Sequence, residues 1–374
     1  MQSTHKILVL RGDGIGPEIM TAAITVLRSI EARFQCGSFE LIEGLIGGVA
    51  IDKMGVPLPE ETLALAKECD AILMAAVGDT QYDKLDPAIR PEKGLLQIRK
   101  ALGLFANLRP VKGFVGATGG APLKADRIEN VDLLVVRELT GGIYFGDPRM
   151  RTGEGPTEKA IDTMVYTRAE IEQILRIAFE AAQTRRKHVT SVDKANVLAS
   201  SQLWRDVADE ISSDYPDVTL THLYVDNAAM QLVVNPKQFD VLVTGNLFGD
   251  ILSDEASVLI GSLGMLPSAS LGKKVQDHQA KGNLLKMPAL YEPAHGSAPS
   301  LKGKNEANPI AQILSVALML GQSFGYHQEA AAISTAIQSV LDTGYRTADI
   351  ASENSKICGT DEMANRIASE IGRQ

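Results

Sequence analysis

Apolar positions along this chain fall into two alternating periods. The short continuous run at residues 7–10 reads as a buried strand, and 71–77, 131–137, 188–192, 219–225 and 241–244 are further strand candidates. Between them the apolar positions recur at helical spacing. A helix starting at Pro17 carries Ile19, Ala23, Val26, Leu27 and Ile30, and further amphipathic helices are predicted over 168–186, 202–211, 309–324 and 329–341. Strand and helix signals in alternation predict an α/β architecture. The segment 149–166 departs from this rhythm. Thr152-Gly153-Glu154-Gly155-Pro156 and the alternating residues up to Tyr166 read as a protruding turn and β-ribbon, either a surface loop or an arm that clasps a second subunit. No internal repeat or low-complexity linker marks a domain boundary.

Composition narrows the picture. With 374 residues, 45% of them hydrophobic, the chain can build two domains or one large α/β unit of two lobes. A net charge of −9 argues against a nucleic-acid scaffold, although an acidic protein can still hold a local arginine cluster. The cysteines Cys36, Cys69 and Cys358 show no paired spacing, which suits a reducing compartment. The N-terminus runs directly into the strand at Ile7 without a leader pattern, and no apolar run nears the roughly 20 residues of a membrane span. The expectation is a cytoplasmic protein without nucleic-acid or membrane partners.

The turn Gly12-Asp13-Gly14-Ile15-Gly16 follows a strand and opens a helix, but it lacks the G-x-G-x-x-G spacing of the dinucleotide fingerprint. The stronger chemical signal is Asp250 and Asp254, one helical turn apart on a helix that is otherwise rich in apolar residues. Like charges at that spacing repel unless a cation lies between them, and a hard divalent cation accepts such oxygens. A solvated acidic face is the plainer alternative. Asp226, between a strand and the helical Ala228-Ala229-Met230, reads by spacing as an N-cap. Lys194 follows a strand and is either an exposed lysine or, beside a metal, a base with a lowered pKa. Tyr144, flanked by glycines, is either packing or a ligand contact. Arg99, Arg109 and Arg137 are each ordinary ion-pair members or carboxylate forks. Spacing alone does not show whether they converge.

Taken together these stretches resemble the 3-isopropylmalate dehydrogenase branch of the β-decarboxylating dehydrogenases. The resemblance rests on Gly12 to Glu18, Leu104 to Pro110, Val136 to Tyr144, Val192 to Leu198, Asp250 to Glu255 and Glu292 to Pro299, in the family's order from residue 6 to about 325. It implies an isopropylmalate dehydrogenase-like fold, two α/β domains sharing a twisted mixed sheet with a cleft between them, and not the Rossmann fold. Residues 1–108 with 262–374 would form the cofactor domain, and 109–261 the central domain, with a dimer arm near 149–166. The implied reaction is oxidative decarboxylation of (2R,3S)-3-isopropylmalate to 4-methyl-2-oxopentanoate in leucine biosynthesis, with NAD and Mg²⁺ or Mn²⁺, by a homodimer with shared active sites.

By the same resemblance Arg99, Arg109 and Arg137 clamp the substrate carboxylates, and Asp226, Asp250 and Asp254 ligate the metal, with Asp226 and Lys194 supplied by the partner. Lys194 takes the hydroxyl proton, and Tyr144 helps protonate the carbanionic carbon. NAD would lie against Ile15, Gly78, Glu292, His295, Gly296, Ser297, Ala298, Ser300 and Asn308. Substrate choice would lie in Glu92, Leu95 and Leu96, whose leucines suit a branched alkyl group where isocitrate needs polar contacts. Tartrate or D-malate dehydrogenases on the same fold, and a catalytically inert dicarboxylate-binding dimer, are the competing readings. The sequence departs from the family at Ser300, where an aspartate usually bonds the adenosine ribose. Serine there no longer repels a 2′-phosphate, and Lys302 and Lys304 stand nearby.

Overall fold

The computed structural model describes residues 4–373 apart from 118, 120, 129, 260, 274, 277–284 and 287. Met1 to Ser3 and Ile260 lie outside the described residues. The chain divides into two compact units, one of residues 1–104, 113–122 and 260–374, the other of residues 105–112 and 123–259.

The first unit opens with β1 (Thr4–Leu10), whose Ile7 to Leu10 are fully buried, and α1 (Gly16–Phe34). It continues through β2 (Ser38–Gly44), α2 (Gly48–Met54), α3 (Glu60–Glu68), β3 (Ala71–Met74) and α4 (Pro91–Ala101). The second unit holds β4 (Ala106–Lys112), the short α5 (Ala125–Ile128), β5 (Asp132–Glu138), β6 (Gly146–Thr152) and β7 (Lys159–Thr163). After these come α6 (Arg168–Gln183), β8 (His188–Asp193), α7 (Ala199–Ser212), β9 (Thr219–Tyr224), α8 (Val225–Val234), β10 (Val241–Thr244) and α9 (Asn246–Leu259). The chain then returns to the first unit with β11 (Pro267–Leu271), the two-residue β12 (Val275–Gln276) and β13 (Leu285–Lys286), and β14 (Ala289–Pro293). It ends in α10 (Ile310–Phe324), α11 (His327–Asp342), β15 (Tyr345–Arg346), β16 (Lys356–Ile357) and α12 (Thr360–Arg373).

In the first unit the strands run in the order β2-β1-β3-β14-β11, parallel except for the β11–β14 pair. In the second the order is β4-β5-β10-β8-β9, parallel except for β4–β5. Each is a mixed sheet whose inner parallel strands are buried, whereas the edge strands β2 and β9 are only partly so. Helix α10 is buried along most of its length among β11, β14 and β3. The 149–166 segment is an exposed antiparallel ribbon, β6 against β7.

The α/β expectation holds. One local reading needs correction: Asp226 is not an N-cap. Helix α8 starts one residue earlier, Tyr224 stands at the cap position, and no side chain caps the helix. Asp226 turns to Lys194 instead.

Candidate active site

The second unit gathers one cluster around the start of α9. Strands β4 and β5 pair antiparallel with Asn107 opposite Arg137 and Arg109 opposite Val135. That register puts Arg109 and Arg137 on one face as diagonal neighbours, and α9 packs on both strands. Arg109 is only 7% exposed and Arg137 5%, so neither is a solvated surface charge. Arg109 donates to Asp254 Oδ1 at 2.8 Å, to Ser253 Oγ at 2.7 Å and, through Nε, to Asn107 Oδ1 at 2.9 Å. Arg137 pairs with Asp250 Oδ1 and donates to Asn246 Oδ1 from both Nη2 (2.8 Å) and Nε (3.1 Å). Asp250 Oδ1 also lies 3.7 Å from Arg109. The repulsion of the i, i+4 carboxylates is therefore already offset by two guanidinium groups, and a bound cation is not the only source of countercharge.

Tyr144 belongs to the same cluster, donating its hydroxyl to Asp250 Oδ2 at 3.1 Å. Burial first, then the charge and hydrogen bond of Asp250, push its phenol pKa upward, which keeps the proton on oxygen. Burial likewise raises the pKa of Asp254, opposed by Arg109. Lys194 and Asp226 form a separate pair, Nζ to Oδ1 at 2.5 Å, near the Tyr224 ring. The Lys194 hydrogen bond holds the Asp226 carboxyl below its usual range. Among the described residues no three His, Cys, Asp or Glu side chains of the chain come together as a metal site. Asp226 thus does not join Asp250 and Asp254 within one chain.

The first unit gathers a second set. Gly12 and Gly14 adopt positive φ, and a Cβ on them would lie 2.1 Å from Ala76 O and 2.0 Å from Ser297 O. These glycines let backbone meet backbone. Ile15 N donates to Ser297 O at 2.8 Å, docking the turn onto the 295–300 loop. Asp13, buried, accepts from the amides of Gly48 (2.8 Å), Val49 (2.9 Å) and Gly78 (2.8 Å) and ties three loops together. A Cβ on Gly78 would lie 2.7 Å from Glu92 Oε1.

His295 Nδ1 lies 2.9 Å from the Gly296 carbonyl and so carries the proton, leaving Nε2 a lone-pair acceptor. Among the described residues Nε2 is buried without a partner. Burial also lowers the His295 pKa, so the ring is neutral near pH 7. This buried acceptor stands beside open space at Gly296, where a hydrogen-bond donor can reach it. Ser297 is buried, Ala298 takes the left-handed conformation at φ 39°, and Ser300 is exposed. Asn308 is buried, its Oδ1 accepting from Ile310 N at the start of α10.

On α4, Glu92, Leu95, Leu96 and Arg99 sit at i, i+3, i+4 and i+7, one face of the helix. Leu95 packs partly into the core, whereas Leu96 stays exposed. Arg99 is ion-paired with the buried Glu292, and among the described residues its Nε has no partner. The structure thus joins a residue expected at the substrate to one expected at the cofactor. Sequence reading missed Asp13, Asn107, Asn246 and Ser253. Asp13 stood between two glycines of the quoted loop, and Asn107 and Ser253 lay inside the quoted stretches Leu104 to Pro110 and Asp250 to Glu255; Asn246 lay outside them.

The fold is that of an α/β enzyme, and each unit gathers its own cluster of polar side chains. The model described as isocitrate/isopropylmalate dehydrogenase matches residues 6–367, and the chain belongs to that family. It is 56% identical over 366 residues to a 3-isopropylmalate dehydrogenase of Halalkalibacterium halodurans, covering 98% of this chain and 97% of the relative. A 3-isopropylmalate dehydrogenase of Pseudomonas putida is 54% identical, with 98% of this chain and 99% of the relative covered. Among solved structures, an isocitrate dehydrogenase of Methylococcus capsulatus superposes with a TM-score of 0.81 at 34% identity, covering 98% of this chain and 99% of that one.

Proposed function

We propose that this chain oxidatively decarboxylates (2R,3S)-3-isopropylmalate to 4-methyl-2-oxopentanoate with NAD as hydride acceptor, as a homodimer with shared active sites. The observation that carries the substrate choice is the α4 face, where Leu95 and the exposed Leu96 lead to Arg99. An apolar face suits an isopropyl group, and it leaves a third carboxylate without the polar contacts that would offset its desolvation.

Asp250 and Asp254 fit a hard divalent cation, since both are carboxylates on one helix face and Asp254 is half exposed. The missing third carboxylate is assigned to Asp226 of a second copy, arriving with Lys194. When bound, Mg²⁺ or Mn²⁺ supplies Lewis-acid polarisation of the C2 hydroxyl, and NAD supplies the hydride acceptor. Arg109 and Arg137 fork onto the substrate carboxylates from their buried, pre-set positions. Lys194 takes the C2 hydroxyl proton as the C2 hydride leaves, and Asp226 stabilises the ammonium that results. The carboxylate on C3 then departs as CO₂, and Tyr144 delivers a proton to C3.

The shared site is supported by exposed apolar residues on the helices that carry the carboxylates. Met230 (57% exposed), Val233 and Val234 on α8, with Ile251 (58%) and Val258 on α9, form an apolar surface of the kind that meets a partner. The test is NADH formation with Mn²⁺ over a panel of 3-isopropylmalate, isocitrate, D-malate and tartrate. Turnover highest on 3-isopropylmalate is the expected result. No NADH on that substrate, or a larger kcat/KM on malate or tartrate, overturns the proposal.

A further inference from the structure

The ring of Tyr166, at the end of the ribbon segment, lies where three glycines leave room for it. A Cβ added at Gly141 would stand 2.7 Å from Tyr166 Cε1, and one at Gly245 2.9 Å from Tyr166 Oη. One at Gly142, whose φ is +76°, would meet the same hydroxyl. The ring also meets Trp204 edge to face, with ring centroids 5.8 Å apart. Next to it, Val165 O accepts from Gly142 N at 2.9 Å and ties the ribbon to the turn that carries Tyr144. Gly141 and Gly142, two of the glycines around Tyr144, thus make way for another tyrosine of the chain.

So placed, the Tyr166 hydroxyl accepts from Asn246 N at 2.7 Å. Asn246 is the first residue of α9, where backbone N–H groups have no partner within the helix. Gly245 before it has no side chain with which to cap that end. Burial first, then the charge of Glu138, push the Tyr166 phenol pKa upward, so its oxygen stays a neutral acceptor. Asn246 is only 1% exposed, and both ends of its amide are committed. Nδ2 donates to Gly141 O at 3.3 Å, while Oδ1 accepts from Arg137 Nη2 and Nε. Tyr166, Asn246 and Arg137 thus form one hydrogen-bonded chain inside the second unit.

We infer that Tyr166 is a positioning residue for substrate binding, its hydroxyl fixing Asn246, which in turn aims the Arg137 guanidinium at a substrate carboxylate. The inference rests on the proposed role of Arg137 as a carboxylate fork. A guanidinium makes two parallel bonds to a carboxylate in one orientation only. Slack at Asn246 therefore weakens the fork without removing its charge.

Steady-state kinetics on single variants test this. Tyr166→Phe removes the hydroxyl and keeps the ring among the glycines. It is expected to raise the KM for 3-isopropylmalate about tenfold and to leave the KM for NAD unchanged. A merely structural defect lowers the fraction of folded enzyme, and with it the apparent kcat, but moves neither KM. Asn246→Ala should raise the same KM, and adding Tyr166→Phe to it should raise it no further, because the two act on Arg137 in series. Tyr166→Met, which also lacks the hydroxyl, carries the same expectation should the Phe variant fail to fold. A substrate KM at the wild-type value, substrate and NAD KM values rising together, or fully additive effects overturn the inference and leave the proposed reaction standing. Wild-type protein that forms no NADH on 3-isopropylmalate overturns the reaction and this inference with it.

Discussion

Arg109 divides its guanidinium among Asp254, Ser253 and Asn107, and that three-way fork is what a lysine cannot reproduce. Arg109→Lys should lower kcat/KM on 3-isopropylmalate by about ten- to a hundredfold, the scale of a lost charge-assisted bond. Steady-state kinetics would detach Arg109 from the chemistry if the value stayed at wild type. His295 gives a pH signature. Its folded pKa is pushed below 6.5 by burial, so between that lowered value and 6.5 the unfolded chain binds the extra proton. Stability is complete above 6.5 and falls as pH drops through the lowered value. Thermal midpoints measured from about pH 7 to about pH 5 should decline more steeply in the wild type than in His295→Asn. Parallel curves would mean that His295 does not titrate differently in the folded state.

At the scale of elements, periodicity found the strands and the long amphipathic helices because each buries one face and leaves a regular trace. It passed over α12, although Met363, Ala364, Ile367 and Ile371 lie at helical spacing and are buried. It misplaced Asp226 because a strand-to-helix junction is where a cap is expected, and only the position of Lys194 shows the alternative. Helix α6 does obey its local signal, with a reciprocal capping box between Thr167 and Glu170. Thr167→Ala should cost about 1 kcal/mol of stability without altering KM, as denaturant unfolding and kinetics together would show. On α4 the exposed Leu96 is the sharper probe. Leu96→Ala should lower kcat/KM for 3-isopropylmalate by about five- to a hundredfold while sparing D-malate. Equal losses on both substrates would remove α4 from substrate selection.

For the whole molecule, the consequential question is whether the site needs two copies. One chain brings two carboxylates to the α9 face and keeps Asp226 and Lys194 as a pair elsewhere in the same unit. Ile251→Asp places a charge on the exposed apolar surface of α9 and should yield a folded monomer without turnover, read by light scattering, circular dichroism and NADH formation. A fully active monomer would refute the shared site.

The sequence by itself determined the α/β class, the buried strands, the i, i+4 carboxylate pair and, through quoted motifs, the family. Each of these is local, written in periods and short spacings. Tertiary structure decided what answers those carboxylates. Arg109 and Arg137 lie far from Asp250 and Asp254 in sequence and reach them only because β4 and β5 pair in one register beneath α9. It also decided that Tyr166 stands against Asn246, a contact across 80 positions that no spacing rule contains. Helix and strand periods are fixed by bonds between near neighbours, whereas a site is fixed by which elements pack together.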